Sequence, residues 1–324
     1  MPDNDGLIAA FVLDGKGGGK PLDWAGVRAW RVEDGVLWAH LDINDAEAVQ
    51  WVRSASGGDV LAADALLAEN TRPRVVDTDK GVAIFLRGVN LNPDADPEDM
   101  VGVRILLEPQ RIITMRLRRL LAIDDIRAAL ERGQGPKTAN GFLVKLSGLM
   151  VQRMDPVLTE IEDRVAELEV RVYASRKATR NLEFGPLRTQ VIMLRRFLKP
   201  QRDALQSLSA IGGVAISSRH KALLRETHDQ LTRFVENLDA LHDRLTVANE
   251  ELRFRHGERM SRGIYLLTLI TAVLMPPSVI AAIFGVNLGG IPGHQTPWAF
   301  PALAFGIVVL CGLEIWLLRR LKWI

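Results

Sequence analysis

The stretch from Gly263 to Gly293 contains no Asp, Glu, Lys, Arg or His, although 25% of the chain is charged. Its first part, residues 263–284, can cross a bilayer, which takes about 20 apolar residues. A second apolar run, residues 298–318, has one charged residue, Glu314. A pair of buried core helices is the alternative, but globular helices rarely stay apolar on every side over this length. The sequence therefore predicts a transmembrane hairpin with a loop at 285–297.

Basic residues at the two ends of the hairpin predict its orientation. Arginines precede the first span, Arg319, Arg320 and Lys322 follow the second, and the loop between them has no lysine or arginine. Lys and Arg accumulate on the cytoplasmic side of a membrane. We therefore expect a protein of the bacterial inner membrane with both termini in the cytoplasm. The net charge of +2 gives no basic excess that would favour nucleic acid as a partner.

Residues 1–140 are expected to form a cytosolic α/β domain. Five segments alternate or are β-branched between Gly, Pro, Asn and Asp, as strands do: 7–14, 35–43, 80–91, 100–109 and 111–117. Helices are predicted at 45–55, 59–69 and 120–133. The glycine-rich segment 15–20 lacks the spacing of a phosphate-binding loop, so we interpret it as a flexible connection between strands. No catalytic constellation is recognisable, and we predict that the protein is not an enzyme.

Residues 141–262 are expected to form a helical stalk. Long helices are predicted at 155–173 and at 184–208, the second interrupted by Pro200, and a third begins near Ser218 and continues into the first span. The third helix carries an apolar heptad: Leu224, Leu231, Leu238, Leu245 and Leu252, with Phe234, Leu241 and Ala248 at the alternate position. Such a pattern is the seam of a coiled coil. It requires a partner helix, from the same chain or from a neighbouring one.

The face of this helix opposite to the seam is acidic at four successive heptad positions: Asp229, Glu236, Asp243 and Glu250. One interpretation is a solvated face whose acids are partly paired with Arg233 or Arg253. The other is that symmetric copies of the helix surround an axis and that their carboxylates attract cations. The sequence leaves both interpretations open.

Pro276 and Pro277 lie in the middle of the first span. Each removes a backbone N–H, and a carbonyl without a partner is tolerated in a membrane only where it faces protein or water. This favours a first span with one face on a water-filled pore, and the alternative is that neighbouring helices supply the missing partners. Two spans cannot enclose a pore, so several chains must assemble. The predicted pore-lining residues are Ile264, Leu267, Thr271, Met275, Ser278 and Ala282.

The tripeptide Gly285, Val286 and Asn287 directly follows the first span. Together with the short loop and a second span that ends in "RRLKWI", it resembles the CorA family of metal-ion transporters, most of which read Gly-Met-Asn there. The valine variant, and the segment "TRPRVVDTDKGVAIFLRGVN" at 71–90, resemble the zinc-transporting ZntB branch of that family. The resemblance extends over essentially the whole chain.

This resemblance implies a funnel-shaped homopentamer with an α+β cytosolic domain, long helices and a membrane hairpin (263–324) whose first span forms the pore. Asn287 would place a ring of amide oxygens at the outer mouth, which suits a divalent cation that keeps its water shell. Magnesium-type members usually carry an acid soon after the motif, whereas His294 is the one ionisable side chain of this loop. His294 is either a surface residue or a zinc contact.

The cargo implied by the resemblance is zinc, and no covalently bound cofactor is expected. Magnesium, cobalt or nickel is the alternative within the same architecture, and a membrane-anchored coiled-coil scaffold without transport is the alternative outside it. The ZntB branch is associated with proton coupling, which makes Glu314 a candidate proton carrier, since an acid within the membrane is costly. Alternatively, Glu314 pairs with Arg319, about one turn away, or extends to the interface.

Overall fold

The computed structural model describes residues 6–55, 60–68, 72–174, 184–208, 217–286, 296–321 and 323. The chain divides into two compact units, Met1–Asn249 and Glu250–Ile324. The strands are β1 (Leu7–Leu13), β2 (Gly19–Pro21), β3 (Val36–Asp42), β4 (Arg74–Thr78), β5 (Gly81–Gly88), β6 (Val101–Leu107) and β7 (Arg111–Arg116). The helices are α1 (Trp24–Ala29), α2 (Ala46–Ala55), α3 (Val60–Leu67), α4 (Leu121–Glu131), α5 (Ala139–Gln152), α6 (Asp155–Ala174), α7 (Phe184–Leu208), α8 (Ser218–Gly285) and α9 (Ala299–Arg320), with a 3₁₀ turn at Val32–Asp34.

All seven strands belong to one sheet, in the order β2-β1-β3-β7-β6-β5-β4. Neighbouring strands are antiparallel except β3 and β7, which are parallel. The five predicted strands are present. The two edge strands, β2 and β4, were not predicted, because they are only three and five residues long and carry little alternation.

The sheet lies between two helical layers. Leu37 and Leu41 of β3 share a core with α1, α2 and α3, whereas Trp38 shares a core with α4 and α5, because successive side chains of a strand point to opposite faces. The second core continues without a break into α6, α7 and α8. A single apolar interior therefore joins the sheet to the long helices of the first unit.

The segment 15–20 was predicted as a flexible connection between strands; residues 15–18 form a turn after β1, and Gly19 and Lys20 belong to β2 itself. One carboxylate oxygen of Asp14 accepts the backbone N–H groups of Lys16, Gly17 and Gly18 at 2.7, 2.9 and 2.9 Å. The bond from Lys16 contributes most to lowering the pKa of Asp14. Gly17 has φ +123°, and a Cβ there would lie 2.6 Å from the carbonyl oxygen of Gly133. The glycine is therefore required by a tight turn packed against the end of α4.

The leucine heptad of α8 packs against helices of its own chain. Leu231 and Leu238 are buried in the same core as Val165 of α6 and Val191 of α7. Phe234, predicted as a seam residue, is only half-buried, and Val235 is buried instead. Two partner helices make the buried stripe wider than an a/d seam, and a straight helix drifts about 20° per heptad.

Ion pairs connect α8 to both partner helices. Arg244 donates to Glu169 of α6 at 2.9 and 2.5 Å. The carboxylate oxygens of Asp239 form ion pairs with Arg195 and Lys199 of α7, at 2.5 and 3.0 Å. The hydrogen bond from Arg244 lowers the pKa of Glu169. These pairs flank the apolar seam on both sides and fix the register of α8 against α6 and α7.

Pro200 does not interrupt α7, contrary to the prediction from the sequence. The helix continues from Phe184 to Leu208 with Pro200 inside it. Leu198 and Gln201, on either side of the proline, are buried, and the side-chain oxygen of Gln201 accepts the backbone N–H of Arg87 in β5 at 2.6 Å. These tertiary contacts offset the one backbone hydrogen bond that a proline removes from a helix.

Candidate functional site

Within the part of the chain that the structure describes, two helices are long and apolar enough to cross a membrane: α9 and the apolar end of α8. Only 6% of the most apolar window of α8 and 0% of that of α9 is buried. Core helices of a soluble protein would be mostly buried. The exposure of both helices therefore favours the predicted membrane hairpin over a pair of core helices.

Helix α8 remains continuous through Pro276 and Pro277 as far as Gly285. Near the prolines, the hydroxyl of Thr271 donates to the carbonyl of Leu267 at 2.9 Å, and that of Ser278 donates to the carbonyl of Leu274 at 2.7 Å. A carbonyl can only accept, so each hydroxyl hydrogen is used within the helix. The lone pairs of both hydroxyl oxygens are left to face the surroundings as acceptors.

The predicted pore-lining side chains are all exposed on α8: Ile264, Leu267, Thr271, Met275, Ser278 and Ala282. The side of α8 toward α9 is a different one. There Tyr265, Thr268 and Ala272 line a groove of about 360 Å³ together with Leu318. Ile264 also borders this groove, so it lies at the edge of the predicted stripe. The other five residues contribute nothing to the groove.

The predicted selectivity motif begins where α8 ends. Gly285 is the last residue of the helix, and Val286 follows in an exposed bend. A Cβ on Gly285 would meet nothing within 4 Å in this chain. Asn287 and His294 lie outside the described residues, so their roles at the outer mouth remain predictions.

Glu314 lies on the side of α9 whose residues are partly shielded, one turn before Leu318, which lines the groove shared with α8. Its Oε2 is shielded from solvent and accepts no hydrogen bond within the described part of the chain. The predicted pairing with Arg319 is wrong. Arg319 follows Glu314 by five residues, and because a helix has 3.6 residues per turn, the two side chains lie on different sides of α9. The guanidinium of Arg320 instead lies 5.3 Å from the ring centre of Trp316.

The residue pattern of α9 predicts on which side of the helix Glu314 lies, but this pattern was not recognised in the sequence. Shielded residues recur at helical spacing along one side: Leu303, Ile307, Leu310, Glu314 and Leu318. This is the period expected of a helix face that packs on a neighbour. The one intramembrane acid is therefore part of the α8–α9 packing face and not of the predicted pore stripe.

The acidic residues of α8 lie on its solvent side, away from the seam: Asp229, Glu236, Asp243 and Glu250 are all exposed. Asp229 contacts the imidazole of its neighbour His228 at 3.2 Å. Arg233, a predicted partner, lies 3.9 Å from Glu226 instead. Among residues with described structure, no ion pair with Lys or Arg involves any of these four acids. No group of three or more potential metal-ligating side chains occurs among those residues either.

The family model described as CorA-like Mg2+ transporter protein matches residues 33–320 of this chain. The divalent cation transporter CmaX of Pseudomonas aeruginosa is 36% identical over 99% of this chain and 98% of its own length. The zinc transport protein ZntB of Pectobacterium atrosepticum is 32% identical over 99% of this chain and 97% of its own length.

Solved structures show the same architecture. Full-length CmaX matches with a TM-score of 0.85 and 36% identity, covering 100% of both chains. The CorA magnesium transporter from Methanocaldococcus jannaschii matches with a TM-score of 0.78 over 98% of both chains, at 17% identity. The second likeness concerns the fold alone. Both confirm an α/β domain followed by long helices and two apolar helices at the carboxyl end.

Proposed function

This chain belongs to the CorA family of divalent-cation transporters, and from that premise we propose that it carries zinc across the bacterial inner membrane. Its pore is formed by the α8 ends of several copies, five by analogy with the family. Residues 1–140 form the cytosolic domain, 141–262 the stalk, and 263–324 the membrane hairpin, with both termini in the cytoplasm. The named members of the family are transporters, and the chain is not an enzyme.

The observation that carries this proposal is the exposed face of α8 that does not border α9. Thr271 and Ser278 each present a hydroxyl oxygen there whose hydrogen is already used by a backbone carbonyl. Rings of such oxygens accept hydrogen bonds from water around a cation and offer no negative charge that would hold it tightly. The prolines do not add to this argument, because Pro277 is buried and Ala272, whose carbonyl loses its backbone partner to Pro276, lines the groove shared with α9.

The acidic residues of α8 are a second, independent observation in favour of cation transport. Glu236, Asp243 and Glu250 have no basic partner within the described residues, so their charge stays uncompensated on the exposed side of the helix. Repeated around an axis, such carboxylates raise the local concentration of cations. We propose that they line the cytosolic part of the conduction path.

Zinc as the cargo is supported by the ZntB relatives and by the outer loop. The loop from Gly285 to Pro297 has no carboxylate that would gather magnesium, and His294 is a side chain that zinc accepts readily. The CmaX relative carries the broader name of divalent cation transporter. Magnesium, cobalt and nickel are therefore the competing cargoes in the experiment.

Flux measurements in liposomes test the proposal directly. The purified protein should let zinc cross faster than magnesium or cobalt, and a proton gradient should change the zinc rate. Asn287→Ala, which removes the amide ring at the outer mouth, should reduce the preference for zinc by about tenfold, which corresponds to about 1.4 kcal/mol. Empty liposomes are the control. An Asn287→Ala protein with unchanged selectivity would contradict the role of the motif.

Glu314→Gln tests proton coupling separately. The substitution keeps the size and hydrogen-bonding capacity of the side chain but cannot bind a proton. We expect a folded protein whose zinc flux no longer changes between pH 6 and pH 8. Glu160→Gln, which makes the same exchange at an exposed glutamate of α6, serves as the control variant that should leave the pH profile unchanged. A Glu314→Gln protein with the original pH profile removes this residue from the mechanism.

A further inference from the structure

A cavity of about 560 Å³ in the first unit lies between the start of α5 and the start of α8. Four basic side chains line it: Lys137 and Lys145 from the α5 side, and Arg219 and His220 from the first turn of α8. Among the residues with described structure, none that lines it is acidic. Two segments that are distant in the sequence therefore bring their positive charges to one concave surface.

Two of the four basic side chains, Lys145 and His220, are held in place by contacts with their surroundings. The ammonium group of Lys145 donates one of its three hydrogens to the carbonyl of Gln134 at 2.6 Å, which leaves two for a ligand. His220 lies directly against the first turn of α5, since a Cβ on Gly141 would be 3.7 Å from its Nε2. Lys145 and His220 thus have fixed positions on opposite walls.

The backbone adds to the positive potential of the cavity. Thr138 caps α5, and its hydroxyl oxygen accepts the backbone N–H of Gly141 at 3.0 Å, so its hydrogen points away from that bond and can donate. Helix α8 also begins at this place, with the carbonyl of Ser217 accepting from Lys221 at 2.9 Å. The positive ends of two helix dipoles then face the same space as the four basic side chains.

We propose that this cavity binds a phosphate ester of nucleotide size. Several cations without a carboxylate among them fit the doubly charged oxygens of a phosphate, and inorganic phosphate alone would not fill a space within the 300–1,000 Å³ range of small-molecule sites. Pro136, Val144 and Leu223 supply apolar walls for the organic part of the ligand. The site is separate from the pore stripe and does not depend on the identity of the transported cation.

Calorimetric titration of the purified full-length protein in detergent tests the site. The ligands are ATP, AMP and inorganic phosphate, in excess EDTA and at constant ionic strength, so that metal binding cannot contribute. We expect ATP to bind at least tenfold more tightly than inorganic phosphate. Lys137→Gln combined with Arg219→Gln should weaken ATP binding at least tenfold. Lys80→Gln, an exposed lysine in the β4–β5 turn, should change it less than twofold.

Several results would overturn the proposal. The first is that neither ATP nor AMP binds saturably. The second is that Lys80→Gln weakens ATP binding as much as the double variant Lys137→Gln with Arg219→Gln does. The third is that this double variant binds ATP as tightly as the original protein. Inorganic phosphate that binds as tightly as ATP would mean an ion site without room for an organic part. If the double variant does not fold, as judged by near-UV circular dichroism, the single variant Lys137→Gln is compared with Lys80→Gln instead. We expect Lys137→Gln to weaken ATP binding at least threefold.

Discussion

Lysine in place of Met275 should reduce divalent-cation flux by at least about 100-fold while the protein still assembles. The side chain of Met275 is 62% exposed in the single chain and lies on the face of α8 away from α9. If this face lines the axis, every copy would add one positive charge to a ring. A unit charge repels another about 8 Å away by about 2 kcal/mol at an effective dielectric constant of 20, and a divalent ion meets several such charges at once.

Met275→Gln is the matched control for this experiment. Glutamine has nearly the same length as methionine and is polar like lysine, but it carries no charge. Flux through the glutamine variant should stay within about threefold of the original, since a neutral polar ring still hydrates a cation. Both variants are measured in the same liposomes, with the oligomer size checked in detergent. Normal flux through the lysine variant would show that Met275 does not face the conduction path.

Acid should destabilise the α/β domain through His40, a buried histidine of β3. His40 is 1% exposed; its Nδ1 lies 2.9 Å from the hydroxyl of Thr114, and its Nε2 has no hydrogen-bond partner within the described residues. Burial is the main cause that lowers the pKa of His40 from 6.5 to about 3, and the charges of Arg116 and Arg127 contribute. The folded protein therefore keeps this imidazole neutral at pH values where the unfolded chain protonates it.

The sign of the effect follows from this difference in proton binding. Above pH 6.5 neither state binds the proton, and His40 contributes no pH dependence. As the pH falls from 6.5 toward 3, the unfolded state gains a proton and the free energy of unfolding decreases by about 1.36 kcal/mol per pH unit. Between pH 6.5, where the unfolded histidine is already half protonated, and pH 4.5 the loss should be about 2 kcal/mol. It can be measured by chemical unfolding of the full-length protein in detergent, followed by near-UV circular dichroism.

His40→Asn isolates this contribution from all other titrating groups. Asparagine can still bond to Thr114, but it does not titrate, so the variant should be less stable at neutral pH and less sensitive to acid. The difference in the free energy of unfolding between the two proteins should narrow by about 2 kcal/mol between pH 6.5 and pH 4.5. Parallel pH profiles would show that the folded protein accommodates the charged imidazole.

The regular elements of this chain were largely predictable from its sequence, because their signals are local. The two apolar runs, the continuous helix from Ser218 into the first span and the five longer strands each show a period within a few residues. The edge strands β2 and β4 were not predicted because they are too short to show an alternating pattern. The predicted break at Pro200 was wrong for a different reason. Proline does remove a helical hydrogen bond, but the tertiary contacts of Leu198 and Gln201 keep the helix continuous.

The candidate site was predictable only in part. The sequence placed the stripe around Thr271 and Met275 on one exposed face of α8, since that placement needs only the helical period. It could not show which side of α9 carries Glu314, and it suggested a partner, Arg319, that the helix geometry rules out. The spacing of residues along a helix shows which of them share a face. It does not show which other segment of the chain packs against that face.

The sequence by itself therefore determined that this chain has a membrane hairpin, a helix that runs into it and an outward row of acids, because each depends on residues close together along the chain. Only the tertiary structure decided that the heptad of α8 packs on α6 and α7, and that Lys137 and Lys145 meet Arg219 and His220 in one cavity. These pairings join segments tens of residues apart. Their stability comes from apolar area and charge that neither segment contains alone.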